Sequence, residues 1–204
     1  MQIRISPDVL RDVAKKQIDI INQIAEENTK LGALTSQLGE AWEGPAGAQA
    51  QNAFEEIRTG IKKVIDGAGD CTQKLIGVAE AFESIDSGEN VLAIKKFSTG
   101  LAPMPLRPTL VLSVSGMVRI DPDRVRDIAE QCKIISTTIS ENTNAYFESI
   151  GDLSNEWEGK SYVKYEEETR EVIKALREIE DVMAEFISRI VNAANRYEEI
   201  DNSL

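Results

Sequence analysis

The sequence predicts an all-α fold: two helical hairpins in tandem, packed as an antiparallel four-helix bundle that amounts to an intramolecular pseudo-dimer. Three observations carry this. Apolar residues recur at alternating spacings of four and three, the mark of a helical seam. The motif Trp-Glu-Gly occurs twice, at Trp42-Glu43-Gly44 and Trp157-Glu158-Gly159, 115 positions apart. The same shift, without a gap, lays Arg4-Ile5-Ser6-Pro7-Asp8 on Arg119-Ile120-Asp121-Pro122-Asp123 and Phe82-Glu83-Ser84-Ile85-Asp86 on Tyr197-Glu198-Glu199-Ile200-Asp201. A match at the head, middle and tail in one register means an internal duplication.

Each copy opens with a helix start signal. Ser6 or Asp121 can accept a hydrogen bond from an orphan N–H, and the following proline gives up only a donor that had no partner. In the first helix Leu10, Ala14, Gln17, Ile21, Ile24, Asn28, Leu31, Thr35 and Leu38 form the seam. Val125, Ala129, Cys132, Ser136, Ile139, Thr143, Tyr146, Ile150 and Leu153 repeat it in the second copy. Both helices are expected to stop near the Trp-Glu-Gly turn, where glycine takes the left-handed conformation that ends a helix. The return helices carry Gly47, Ala50, Phe54, Ile57, Ile61, Val64, Ala68, Cys71 and Phe82 in one copy and the bulkier stripe from Tyr162 through Leu176 to Tyr197 in the other. Gly67 and Gly69 each cost about 1 kcal/mol relative to alanine, so a soft or kinked stretch is expected from Asp66 to Asp70.

These features set the domain organisation: a first hairpin over residues 1–86, an extended connector over 87–117, and a second hairpin over 118–204. A two-helix hairpin cannot bury its stripe alone, and the duplication supplies the missing partner. The connector decides the orientation. Hairpins with both turns at one end need only a few joining residues, whereas an antiparallel pair needs a return along helices roughly 50 Å long. The connector's prolines Pro103, Pro105 and Pro108 suit such an extended course. Its only strand-like alternation is Leu110 to Val114.

Composition narrows the function. The net charge of -12 opposes binding to nucleic acid. The absence of histidine removes the usual general base and zinc ligand. With no phosphate-cradling glycine loop or nucleophile elbow, the chain is read as a non-enzyme with no catalytic residue, metal or cofactor. No apolar run is long enough to span a membrane, and MQIRISPDVL has no greasy middle for a cleavable signal peptide.

Two-helix units with Trp-X-Gly in the turn and an aromatic-X-X-X-Asp at the end resemble the WXG family of type VII secretion proteins, here in a tandem form. The resemblance covers nearly everything outside the connector. It implies export without a cleaved leader from a cytoplasmic pool, and docking on the secretion system's membrane ATPase through a Tyr-X-X-X-Asp signal. That role falls on Tyr197 and Asp201, with Phe82 and Asp86 as a degenerate second copy that has Phe for Tyr. A co-secreted helical toxin or WXG-like protein is a further implied partner. Three functions therefore stand open: an independent secreted substrate or accessory, an adaptor for a larger toxin, and a structural helical spacer. An exposed apolar stripe would favour the adaptor.

Individual residues admit bland readings as well. Trp42 and Trp157 serve either a recognition cleft or the packing of a bundle end. Cys71 and Cys132 fall on seams and read as core thiols, with a disulfide or reactive thiol as the rival. The acidic runs Glu166-Glu167-Glu168 and Glu178 to Asp181 read as solvated faces against calcium or a basic partner, since no calcium-binding loop is present.

Overall fold

The computed structural model describes residues 6–86 and 118–203, without the side chains of Ile85 and Asp86. The expected elements are present. Helix α1 spans Pro7–Ala41 and α2 spans Pro45–Asp86; α3 spans Pro122–Gly151 and α4 spans Lys160–Ser203. Between them lie two two-residue strands, β1 at Trp42–Glu43 and β2 at Arg119–Ile120. Proline stands first in α1, α2 and α3. The Asp121 carboxylate accepts the Arg124 N–H at 3.1 Å, the cap that the sequence predicts for α3.

α2 is helical throughout, Gly67 and Gly69 included, and Val64, Ala68, Cys71 and Leu75 around them are buried. One expectation needs correction. α3 stops at Gly151, before the Trp-Glu-Gly motif, and the chain reaches Trp157 through turns. Asp152, Ser154 and Asn155 stand there in place of the first copy's Gln37, Gly39 and Glu40, and such short polar side chains compete with helical hydrogen bonding. Ser154 Oγ donates to the Gly151 carbonyl at 2.9 Å. Leu153, assigned by spacing to the helical seam, is buried from this turn instead. Finally, β1 and β2 pair antiparallel, Trp42 with Ile120 and Glu43 with Arg119, a ladder the sequence reading did not anticipate. The connector and its strand-like Leu110 to Val114 lie outside the described residues.

The described residues form two compact units, each drawing on all four helices. Unit A holds residues 6–24, 63–86 and 141–176; unit B holds 25–62, 118–140 and 177–203. In unit A the start of α1 and the end of α2 accompany the Trp157 turn. In unit B the start of α3 and the end of α4 accompany the Trp42 turn. Each hairpin's turn thus packs beside the other hairpin's open end, as antiparallel pairing requires. The seam residues fill both cores, and each fully buried Leu, Ile or Phe contributes about 1.5–3 kcal/mol.

The two cores differ in chemistry. In unit A, Gln17 of α1 is fully buried and donates from Nε2 to Ser149 Oγ at 3.0 Å and to the Tyr165 hydroxyl at 2.7 Å. Its Oε1 accepts from the Tyr165 hydroxyl at 3.0 Å and from Thr72 Oγ1 at 3.1 Å. Each helix contributes one member of this set, and burial pushes the Tyr165 hydroxyl's pKa up to about 12, keeping it protonated. In unit B the ring of Phe54 packs on that of Phe186 at 4.9 Å between centroids, and its buried polar residues, Glu27 and Thr35, bond within their own helix.

Candidate docking surface

The Trp42 turn is built for tightness. The chain leaves α1 at Ala41 and begins α2 at Pro45, and Gly44 between them takes φ 116°, closed to most side chains. A Cβ on Gly47 would lie 2.0 Å from the Trp42 carbonyl oxygen, so only glycine allows the first turn of α2 to approach the motif. The second hairpin grips this turn from outside. The Asp121 N–H donates to the Ala41 carbonyl at 2.8 Å, and Arg124 reaches Glu40 at 2.5 Å. Glu43 is exposed and pairs loosely with Arg119 at 3.7 Å.

Inside this grip Trp42 is buried, 1% exposed, and presents its indole to the ring of Tyr197 edge-on at 6.1 Å and 79°. Tyr197 is half-buried. Asp201, one helical turn further, is exposed, and Ile200 beside it is 60% exposed. The helix end that carries them is pinned by Arg126, whose Nε donates to Asn195 Oδ1 at 3.0 Å and whose guanidinium also bonds the Glu198 carboxylate. Unit B thus sets a half-buried tyrosine of one hairpin against the buried tryptophan of the other, with an exposed carboxylate one turn further along the tyrosine's helix.

The Trp157 turn is different. Trp157 is equally buried, yet its ring partners are Tyr162 at 5.8 Å and Tyr165 at 5.5 Å, both from its own hairpin. Its Nε1 donates to Ser161 Oγ at 3.2 Å. Gly159 takes φ 130° and Glu158 is exposed. Phe82 is half-buried, and among the described residues no ring contact joins it to Trp157; the side chain of Asp86 lies outside the described residues. Arg11 and Glu83 form the ion pair equivalent to Arg126 and Glu198.

The profile of the WXG100 family, "proteins of 100 residues with WXG", matches this chain twice, over residues 2–87 and 117–202. The chain belongs to the WXG100 family. Type VII secretion follows from that membership, as does action through protein–protein contact. Protein YukE of Bacillus subtilis is 27% identical over 84 residues, which cover 41% of this chain and 87% of YukE. No solved structure matches the chain.

Against this WXG100 background the other candidate residues resolve as follows. Cys71 and Cys132 are free, buried thiols; burial pushes their pKa values up to about 11 and about 12, so the core reading holds over the disulfide or reactive one. Glu167, Glu178 and Asp181 are exposed as expected. Glu168 is not: with little exposure it pairs with Lys74 at 2.6 Å. Glu180 likewise turns inward to Ser140 at 3.0 Å and Arg177 at 3.1 Å. No helix of the described residues is long and apolar enough to cross a membrane. Arg126 and β2 are the site residues that sequence reasoning missed. The 115-position repeat of both Arg11 with Glu83 and Arg126 with Glu198 was the available signal.

Proposed function

We propose that this WXG100 protein is a tandem type VII secretion substrate whose docking signal is Tyr197 and Asp201, with the buried Trp42 holding the tyrosine in place. The observation that carries the reading is the edge-on packing of Tyr197 against Trp42, which fixes the tyrosine and leaves Asp201 open to solvent on the same helix. Residues four apart share a helical face, so a docking partner meets ring edge and carboxylate together. The partner is the system's membrane ATPase, and the chain is exported from the cytoplasm. Phe82 lacks the tryptophan contact that Tyr197 makes, which supports a signal in the second copy alone. Among the described residues the exposed large apolar side chains Ile18, Ile134, Phe147, Val163 and Ile200 are scattered over three helices. On α3, Ile134 and Phe147 face directions about 140° apart at 100° per residue. That scatter supports an independent substrate over a toxin adaptor.

Secretion into the medium tests the proposal. Tyr197→Ala and Asp201→Asn should abolish appearance outside the cell while leaving helicity intact, and Phe82→Ala should still be exported. Equal export of wild type and Tyr197→Ala would sink the assignment.

A further inference from the structure

The polar core of unit A is divided between the hairpins in an unequal way. Hairpin one supplies Gln17 and Thr72; hairpin two supplies Ser149 and Tyr165. At the positions related by the 115-residue repeat, none of these groups recurs. Gln17 corresponds to Cys132, Thr72 to Ile187, Ser149 to Leu34 and Tyr165 to Ala50. The network therefore closes only where a hairpin-one face meets a hairpin-two face.

We propose that this buried network is a pairing code that makes each hairpin accept the unlike hairpin and reject its own kind. The repeat relation shows why. In a pair of two first hairpins, Gln17 and Thr72 of one would face Leu34 and Ala50 of the other, with no partner for the amide. In a pair of two second hairpins, Ser149 and the Tyr165 hydroxyl would face Cys132 and Ile187. Thr72 and Ser149 keep their bonds to the Ala68 and Tyr146 carbonyls of their own helices, but the Gln17 amide in the first pair and the Tyr165 hydroxyl in the second lose the partners of this network, and a buried group left unsatisfied costs far more than the small net gain of a satisfied bond. Packing adds to the discrimination. Phe186 meets Phe54 in unit B, but in a like pair it would meet Thr169, the repeat equivalent of Phe54. Specificity here comes from penalising the wrong partner as much as from rewarding the right one. The kind of partner that fits hairpin two is a helical hairpin with an amide at the Gln17 position and a hydroxyl at the Thr72 position. A WXG-type hairpin with apolar residues at both does not fit.

The test uses the full chain, folded and then cut at a protease site engineered between residues 87 and 117. The two hairpins, both retained, are unfolded together, refolded, and counted as pairs by native mass spectrometry, since their masses differ. In the wild type, mixed pairs should outnumber like pairs by about tenfold or more, the factor that one unsatisfied buried group supplies. With Gln17→Leu, Thr72→Val, Ser149→Ala and Tyr165→Phe combined, the pairs should approach random assortment even where melting is unchanged. A stabilising role alone would lower the melting temperature and leave the ratio untouched. Random assortment in the wild type, or undiminished selectivity in the apolar variant, overturns the proposal. Should the apolar variant fail to pair, Cys132→Gln decides. It gives hairpin two its own amide opposite Ser149 and Tyr165, so pairs of two second hairpins should rise by about tenfold; no rise overturns the code.

Discussion

The chain leaves α1 at Ala41 and starts α2 at Pro45, whereas it runs from Gly151 to Lys160 to make the corresponding reversal in hairpin two. Both turns bury an indole, both use a glycine at positive φ, and both follow the same three-residue motif. They differ in where support comes from. Trp157 is held by Tyr162, Tyr165 and Ser161 of its own hairpin. Trp42 is held by the other hairpin, through Ile120 on its backbone and Tyr197 on its ring. Its Nε1 is buried and has no hydrogen-bond partner among the described residues, since Ala46 stands where hairpin two has Ser161. One motif thus serves as a self-sufficient cap in one copy and as half of a shared surface in the other.

The largest effects that test this contrast come from the indoles themselves. Trp42→Ala and Trp157→Ala should each cost about 3–5 kcal/mol in denaturant unfolding. Only the first should also shift the NMR resonances of the Tyr197 ring, and an equal shift from both would break the contrast. Next comes backbone approach. Gly47→Ala should cost about 1–3 kcal/mol, since its methyl runs into the Trp42 carbonyl. Gly151→Ala, with open space around its Cβ, should be neutral or slightly stabilising in the same assay. Comparable losses at the two glycines would remove the distinction between a tight and a relaxed turn.

Smaller still is the hydroxyl exchange. Ser161→Ala should cost about 1 kcal/mol by orphaning the Trp157 N–H, and Ala46→Ser should recover up to about 1 kcal/mol by satisfying Trp42. Thermal melts of both variants check the opposite signs. The smallest effect is electrostatic. The hydrogen bond from Arg11 holds the Glu83 carboxyl below its ordinary value of 4.5. A depressed pKa contributes stability that is present above the unfolded value and lost as pH falls through the folded one. Arg11→Gln should therefore lower stability slightly at neutral pH and make the acid limb of a pH-stability profile shallower, wild type and variant converging once the pH has fallen through the folded pKa; the difference is small because the pair is well exposed.

Much of this fold was legible because helical periodicity is local. The stripe from Tyr165 to Ile190 is buried as its spacing implied, and so is the seam from Leu10 to Leu38 except at Ile21 and Asn28, which are half-buried, with Ile20 buried beside them. Gly44 and Gly159 take positive φ as expected, but each stands at the start of the return helix instead of at the end of the first one. What escaped is pairwise and distant. Gln17 was placed on its seam, but its partners Ser149 and Tyr165 lie in the other repeat, and spacing within one helix says nothing of them. The early stop of α3 was written in Asp152, Ser154 and Asn155, yet the matching register of the tryptophans masked it. The pinning of Tyr197 by Trp42 joins residues from nearly opposite parts of the sequence, beyond any periodicity argument.

That last contact has a consequence in time. A ribosome makes Trp42 long before Tyr197, and at about 5–20 residues per second the interval is on the order of ten to thirty seconds. Until α4 is complete, the first turn has its indole but neither the ring that covers it nor the carboxylate beside it. A chain whose translation aborts before Tyr197 offers a tryptophan motif without the ring that covers it. Under the export reading, having made the second helix of hairpin two and being fit to dock are then a single condition, tested by one aromatic contact.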